Sequence, residues 1–528
     1  MQQVTLRGIS VSVFIIALLT AVLPNLNGEY FWDDLKQVKE NPAILSADGY
    51  RTILISDLWG GAGGQSTQLY HPVPMLTFWL QAKMTRESIV AFRVGNLLIH
   101  LVCVLLLYLL LKRLGFRETS AVFGAAIFGV HPSITEPTMW LTGRHDTLGA
   151  LFSFGAVLVW PRENGQRIFM RAAASSLMAG LAFLCKEPYI TVLVLVPLFD
   201  LTMNRPGIDA RKRGLCFLLL PLGAGADFLV RWRIGVSSRS DQLFEPVATH
   251  VSNFGAIFIH YLFQAVTFRN GRTTADFETG SVLSGICVIV VLITTLVVLW
   301  RQMQKGAAGA RQGLFGLSWF AVTLAPHVVS LPMIGMYGNR YLYFPMAGLV
   351  IAVAAAGEAM LPKLSRRTVR LGGVFGVTLI VFLGAATYLE ARNWRDALTL
   401  YGADLMQTPD DPKTLYHFGH AVRVRYGCQR ALPYFEKSAE KDPGYWRPLH
   451  NQAGCLINLG EYEAALTPAK RAYTLRPEDP RSLYNFGVAQ YYTGHRSRGI
   501  ALIKRALALD PGYRAAERAL ALFQGTSR

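Results

Sequence analysis

The segment SVLSGICVIVVLITTLVVLW occupies residues 281–300 and contains no charged side chain. A helix needs about 20 predominantly apolar residues to cross the hydrocarbon core of a bilayer, so this segment predicts a membrane-spanning helix. Ten further apolar runs predict spans at residues 9–27, 94–111, 119–137, 145–160, 172–187, 189–203, 214–232, 312–331, 343–360 and 371–388. The first run could instead be a signal peptide, but no A-x-A-like site follows it, which favours a helix. The sequence therefore predicts an all-α, polytopic bundle of eleven spans.

The composition agrees with a membrane protein. Of the 528 residues, 52% are hydrophobic and 16% are charged, and the mean hydropathy is +0.30. An average soluble chain has about a quarter charged residues, so these values argue against a soluble globular enzyme. The formal charge of +18 would suit a nucleic-acid partner, but the basic residues fall in short loops between apolar runs. We therefore expect no nucleic-acid partner.

Five short basic loops indicate the topology: residues 112–117, 162–171, 205–213, 301–311 and 363–370. By the positive-inside rule all five face the cytoplasm, which requires that the further apolar stretch at 250–268 does not cross the membrane. That stretch is predicted to be re-entrant or interfacial. Eleven crossings from a cytoplasmic N-terminus put the long loop at 28–92, here named the outer loop, and the C-terminal part outside. The expected location is a bacterial inner membrane, with the C-terminal part periplasmic or otherwise extracytoplasmic.

The C-terminal part contains a repeat. Proline recurs every 34 residues at Pro409, Pro443, Pro477 and Pro511, and glycine recurs at 419 and 487 and at 460 and 494. A period of 34 residues is that of tetratricopeptide repeats, in which each unit is a helix, a turn and a helix. Residues 1–390 are thus predicted to form the membrane domain, and residues 391–528 an α-solenoid of about three repeats with a capping helix at 513–524. Such an array binds a peptide or partner protein, or serves as a spacer.

The outer loop begins with EYFWDD at residues 29–34. Placing paired carboxylates beside aromatic residues at a membrane surface has a desolvation cost, which a charged ligand would offset by binding to them. Asp33 or Asp34 could act as a general base, and together they could hold a divalent cation. The alternative is an acidic turn or helix cap in a solvated loop.

Three other predicted outer segments are rich in polar side chains. HPSITEPTMWLTGRHD, at residues 131–146, contributes His131, Glu136, Arg144, His145 and Asp146, KE at 186–187 contributes Lys186 and Glu187, and RY at 340–341 contributes Arg340 and Tyr341. A connection that only joins two helices needs none of these groups. We predict that Arg144, Lys186 and Arg340 lie on one face as phosphate ligands. Each alone could equally be an interfacial cation whose aliphatic stem is buried.

In this order, the segments FWDDLKQVKENPAI, YHPVPMLTFWL, RVGNLLIH, FGVHPSITEPTMWLTGRHDTL, FLCKEPYI and GNRYLYFP resemble the signature segments of the transmembrane and tetratricopeptide-repeat protein O-mannosyltransferases and their bacterial relatives. The resemblance covers nearly the whole chain. It implies a GT-C glycosyltransferase that transfers mannose or a similar sugar from a polyprenyl-phosphate donor to a protein or envelope-glycan acceptor on the outer face. It also implies that Asp33 is the catalytic carboxylate, with Asp34 as its partner.

Two other functions stay open at this point. A non-catalytic membrane scaffold would use the repeats to recruit partners, and its outer polar residues would be merely interfacial. A transporter of lipid-linked sugar would need ionisable groups near the bilayer midplane, for which Asp227 is the only candidate. Cys428 and Cys455 could pair in an oxidising compartment.

Overall fold

The computed structural model describes residues 26–58, 69–163, 165–203, 208–236, 246–267, 280–334 and 337–525. No β-strand occurs among these residues, which confirms the all-α fold class. The chain divides into two compact units, Met1–Asp396 and Ala397–Arg528. The first predicted span, at 9–27, lies almost entirely outside the described residues.

Seven described helices of the first unit are long and apolar enough to cross a membrane: Ile89–Arg113, Ile168–Cys185, Ala210–Arg233, Val282–Gln304, Ala310–Leu331, Arg340–Lys363 and Arg366–Asn393. Shorter helices are Glu118–Val130, Arg144–Val159 and Val192–Met203, and the outer loop contains Leu35–Lys39, Pro42–Leu45, Gly49–Ile55 and Pro72–Thr85. The number of crossings stays a prediction. Val247–Thr267 is one continuous helix, so it contains no re-entrant turn, and its interfacial position stays a prediction as well.

The helix at the predicted span 119–137 is shorter than the apolar pattern suggests. Its helix ends at Val130, because a residue that precedes proline is disfavoured in the helical region and Pro132 follows His131. The chain then continues as short turns of helix at Pro132–Ile134, Thr135–Met139 and Leu141–Gly143. Every residue from 131 to 150, here named the core segment, is buried. The segment predicted as an outer connection is thus part of the protein interior.

Close packing of two helices positions the start of Arg340–Met360. A Cβ atom on Gly348 would lie 2.5 Å from the carbonyl oxygen of Gly316 in Ala310–Leu324, so the two backbones are in direct contact there. Small residues that allow such an approach are the usual basis of helix association in membranes. Near this crossing Trp319 and Tyr343 are fully buried, and Arg340 is the first residue of the second helix of the pair.

The second unit consists of helix pairs, as the 34-residue period predicts. After Ala397–Gln407 come Pro412–Tyr426 and Cys428–Lys441, Trp446–Asn458 and Tyr462–Leu475, Pro480–Tyr492 and Arg496–Leu509, and the capping helix Arg514–Phe523. The turns inside the second and third pairs contain Gly460 and Gly494 with φ of 80° and 94°, a conformation that favours glycine. Cys428 and Cys455 are free thiols in this structure.

Candidate active site

The outer loop is attached to the core segment by Asp34. Its Oδ1 accepts the backbone N–H of Thr142 at 3.0 Å and its Oδ2 accepts the N–H of Phe31 at 3.1 Å. The side chain is completely buried. Burial raises the pKa of Asp34 to about 7 in spite of the backbone N–H groups that favour its charged form. Asp34 therefore connects two segments and is closed to other ligands.

Asp33 has a different environment although it is the adjacent residue. Its side chain is half-buried, and no hydrogen bond or ion pair occupies its carboxylate in the described part of the chain. Burial raises its pKa, while the nearby charges of Arg340 and Lys36 oppose that rise. Asp33 is thus a carboxylate with raised basicity that remains available to another molecule.

Trp32, directly before the two carboxylates, has a left-handed backbone conformation with φ of 41°. Its indole contacts Trp140 of the core segment and Trp394, with ring centroids 5.3 and 5.7 Å apart. The guanidinium of Arg340 lies over the ring of Trp140 at 5.0 Å. This series of ring contacts connects Arg340 to the residue that precedes Asp33.

Lys186 and Arg340 meet at Tyr341. The ammonium of Lys186 lies 5.2 Å from the Tyr341 ring centroid, and the guanidinium of Arg340 lies 4.5 Å from it. Lys186 donates to both carboxylate oxygens of Asp146 at 2.8 Å, and Arg340 forms an ion pair with Glu136. The structure therefore brings together five of the predicted site residues, each cation with a carboxylate partner.

The structure does not bring Arg144 into this group. Its guanidinium donates to the side chains of Asn96 at 2.6 Å and Gln81 at 2.8 Å and to the carbonyl of Phe92 at 2.8 Å, and it stacks on Phe78 at 3.9 Å. Only 1% of the residue is exposed. Neutral acceptors take the N–H groups of Arg144 because its helix starts inside the protein, and its predicted role as a phosphate ligand beside Lys186 and Arg340 stays a prediction.

The two predicted histidines are also interior residues. Nδ1 of His131 accepts the N–H of Ser133, and its Nε2 lies 3.2 Å from the carbonyl of Ala265, so both ring nitrogens have partners. His145 hydrogen-bonds through Nδ1 to the carbonyl of Thr142, and its buried Nε2 has no partner among the described residues. His131 therefore caps a helical turn, and His145 holds the turn that also carries the Asp34 contact.

Glu187 belongs to a second polar network. Its carboxylate lies 2.8 Å from both Nε2 of His71 and Nη1 of Arg231, and Arg231 also donates to Asp227 at 2.9 Å. His71 and Arg231 are not among the site residues predicted from the sequence. The spacing of Asp227 and Arg231, four residues apart in an apolar helix, was a usable signal for their ion pair.

A divalent cation held by Asp33 and Asp34 stays a prediction. Each oxygen of Asp34 already accepts one backbone N–H group inside the protein, and Asp33 is the more accessible of the two carboxylates. Elsewhere in the described ranges, no group of three or more His, Cys, Asp or Glu residues is arranged to hold a metal ion.

Comparison with known proteins gives consistent matches. Residues 71–219 match the model of the dolichyl-phosphate-mannose-protein mannosyltransferase family. Protein O-mannosyl-transferase F38B6.6 of Caenorhabditis elegans is 26% identical over 462 residues, which cover 83% of this chain and 64% of that protein. Human protein O-mannosyl-transferases TMTC3 and TMTC4 are 23% and 22% identical, and the matches cover 84% and 78% of this chain and 52% and 63% of those proteins.

This chain spans between about half and two thirds of the length of these relatives. The family match contains the core segment and Lys186, and the matches to the relatives extend over most of the chain. The comparisons therefore confirm the resemblance that the sequence segments indicate: this chain is similar to the transmembrane and tetratricopeptide-repeat protein O-mannosyltransferases.

Proposed function

We propose that this chain is an integral membrane glycosyltransferase of the GT-C type. It would transfer mannose or a similar sugar from a polyprenyl-phosphate donor to a hydroxyl of a protein or envelope-glycan acceptor on the outer face of the membrane. The observation that carries the proposal is the position of Asp33, an available carboxylate close enough to Arg340 for their charges to interact. The similarity to protein O-mannosyltransferases supports the reaction class.

Asp33 is the proposed general base. Because burial raises its pKa, its carboxylate holds a proton more tightly than an ordinary aspartate does. The acceptor oxygen attacks the anomeric carbon while Asp33 takes the acceptor proton, and the bond between the anomeric carbon and the phosphate oxygen breaks. The products are the glycosylated acceptor and polyprenyl phosphate. A single displacement of this kind inverts the anomeric centre.

Lys186 and Arg340 are the proposed phosphate ligands. The donor is a phosphodiester with one negative charge, and the departing polyprenyl phosphate gains a second, which preorganised cations stabilise. Asp146 and Glu136 hold the two cations in place before the donor arrives. Arg144 has a structural role in this proposal, since its N–H groups are engaged by neutral acceptors.

The experiment compares Asp33→Asn with Asp48→Asn, an exposed carboxylate of the same outer loop. Cells that lack the chain are complemented with each variant, and glycoproteomics identifies the sugar mass that is lost or restored. We expect Asp33→Asn to lower transfer by about 10²- to 10⁴-fold, the usual contribution of a general base, and Asp48→Asn to restore it fully. Transfer by Asp33→Asn at a nearly normal rate would make the mechanism wrong and favour the non-catalytic scaffold.

The transporter alternative has less support. Asp227 is paired with Arg231, which also binds Glu187 and the carbonyl of Tyr70 in the outer loop. An ion pair that is used in this way to hold segments together gives no support to a transport pathway.

A further inference from the structure

A groove lies between the helix Val192–Met203 and the apolar segment Ala210–Arg233 of the membrane domain. Its volume is about 350 Å³, within the range of about 300–1,000 Å³ that is usual for small-molecule sites. All of its lining side chains are apolar: Leu193, Pro197, Leu201, Phe217, Leu220 and Pro221. Because Ala210–Arg233 is long and apolar enough to cross a membrane, the groove is open to lipid.

Leu193 and Leu201 mark the two ends of the groove. Val192–Met203 begins shortly after Lys186, the proposed phosphate ligand of the donor. An α-helix rises about 1.5 Å per residue, so the helix from Leu193 to Leu201 is about 12 Å long. The end at Leu201, here named the distal end, is therefore remote from the proposed donor site.

Trp160 connects the distal end of the groove to two arginines. Its indole stacks on Phe217 with ring centroids 5.2 Å apart, and its Nε1 donates to Asp200 at 3.0 Å. Asp200 also forms an ion pair with Arg213, with 3.4 Å between Oδ2 and Nε. The backbone carbonyl of Trp160 accepts an N–H group of Arg113. Both guanidinium groups thus lie beside the groove.

Two further arginines belong to the same place. Arg171 donates from Nε to the carbonyl of Val159 at 3.2 Å, and Arg162 follows Trp160 by two residues. Both lie close enough to Arg113 for their charges to interact with it. Like charges at short range repel one another, so an anion bound among them would stabilise the group. We name the four residues Arg113, Arg162, Arg171 and Arg213 the arginine cluster.

The loops around the arginine cluster are strongly basic. Residues 112–117, 162–171 and 205–213 contain ten lysines and arginines but two acidic residues, so Asp200 and its neighbours cannot neutralise them. These loops are predicted to face the cytoplasm, where the anionic lipids of a membrane attract basic residues. Arginine is well suited to such a ligand, because its guanidinium donates two parallel N–H groups to a phosphate.

We propose that the groove and the arginine cluster bind one anionic phospholipid of the cytoplasmic leaflet. An acyl chain occupies the groove, and the phosphate lies on the arginine cluster. An anionic phospholipid has both of the required parts, an apolar chain and a negatively charged headgroup. The proposal concerns binding alone and is independent of the transfer reaction proposed above.

A phospholipid fits this site better than the polyprenyl-phosphate donor does. The proposed donor phosphate lies with Lys186 and Arg340, whereas the arginine cluster is at the distal end of the groove. A donor tail that entered the groove from Lys186 would cover the apolar lining but would leave the arginine cluster without an anion. A phospholipid of the cytoplasmic leaflet satisfies both features with one molecule.

Lipid binding to the full chain can be measured by native mass spectrometry in a neutral detergent. The probes are phosphatidylglycerol and phosphatidylcholine with identical oleoyl chains, which differ in net charge. We expect the tightest site to bind phosphatidylglycerol at least about tenfold more tightly. Equal affinities would overturn the proposal. Polyprenyl phosphate that displaces phosphatidylglycerol and binds more tightly would also overturn it and assign the groove to the donor.

Matched charge removals locate the headgroup. Arg162→Gln combined with Arg171→Gln changes two exposed residues and should weaken binding of phosphatidylglycerol by at least about tenfold. Arg366→Gln combined with Arg370→Gln, two exposed arginines of another basic loop, should change it by less than about twofold. Equal losses in the two double variants would mean that phosphatidylglycerol responds only to the general positive charge, and the proposal would be wrong.

Matched tryptophans test the groove. Leu201→Trp fills the distal end and should weaken binding of phosphatidylglycerol by at least about fivefold, because the acyl chain loses buried contact. Leu218→Trp, at an exposed position outside the lining, should change it by less than about twofold. Equal effects would remove the groove from the site. Melting curves monitor folding, and if Leu201→Trp unfolds, Leu201→Phe takes its place.

Discussion

Oδ1 of Asp34 accepts the backbone N–H of Thr142 at 3.0 Å, across 108 residues of sequence. This contact fixes the outer loop on the core segment, so that Asp33 lies within electrostatic reach of Arg340. One aspartate of the pair holds the loop, and the other remains available for chemistry.

Asp34→Asn should therefore reduce stability. The amide turns an N–H₂ group toward one of the two backbone N–H donors and leaves that donor unsatisfied, which costs about 1–3 kcal/mol. Thermal unfolding in detergent measures the loss, and Asp33→Asn serves as the control that should melt like the unmodified protein. A normal melting temperature for Asp34→Asn with complete loss of transfer would instead make Asp34 a catalytic group.

Asp34 should also make stability depend on pH. Its pKa of about 7 in the folded protein exceeds the ordinary value of 3.8, so between these values the folded state holds more protons than the unfolded state. Stability should therefore be highest on the acidic side of this window and fall as the pH rises toward 7. Melting temperatures measured across the window should show a steeper fall for the unmodified protein than for Asp34→Asn. Equal slopes would contradict this assignment.

The pH dependence of transfer should report on Asp33. A general base acts in its deprotonated form, so kcat/KM should rise with pH through a pKa above the ordinary value of 3.8. Lys36 opposes the upward shift of this pKa, so Lys36→Gln should move the rise to higher pH. Lys39→Gln, an exposed neighbour, is the control. Identical profiles for all three proteins would remove Asp33 as the titrating base.

Substitutions of Arg144 and of Lys186 should have different effects, the first on folding and the second on donor binding. Arg144→Ala leaves buried acceptors on Asn96, Gln81 and Phe92 without their donor, so we expect little folded protein in the membrane. Lys186→Arg keeps a cation beside the buried Asp146, so this variant should remain folded but require more donor. Size-exclusion profiles and donor titrations separate the two effects. A well-folded Arg144→Ala protein with weakened donor use would restore Arg144 as a phosphate ligand.

The topology can be tested by labelling single cysteines. Glu463→Cys lies on an exposed helix of the repeat array, and Lys305→Cys lies in a basic loop. In a background in which the six native cysteines are replaced by alanine, with the array outside and the basic loops inside, a maleimide that cannot cross membranes should label only Glu463→Cys in intact cells. Both positions should react after the membrane is permeabilised. Labelling of Lys305→Cys alone would reverse the predicted orientation.

Much of the fold was predictable from two features of the sequence, the length of its apolar runs and the period of its repeats. Apolar runs of about 20 residues indicate spans, and a proline every 34 residues indicates repeats. The end of Glu118–Val130 was harder to predict, because apolar residues continue beyond it and only Pro132 marks the break.

The site was predictable in part. Asp33, Lys186 and Arg340 could be selected because a charged residue beside an apolar segment has a desolvation cost. Such residues usually have a functional role. Without the family resemblance, the residues alone do not distinguish Asp33 from Asp34, since the partner that separates their environments is a distant N–H group, that of Thr142. The partners of Arg144 could not be predicted for the same reason, because its acceptors belong to other helices.

The strained backbone of Trp32 has an evolutionary consequence. A left-handed conformation costs an ordinary residue about 1–2 kcal/mol, which glycine avoids. Glycine at position 32 would also remove the indole that contacts Trp140 and Trp394. The packing that glycine would lose outweighs the strain that it would relieve, so selection for heat resistance and selection for catalysis should both retain tryptophan at this position.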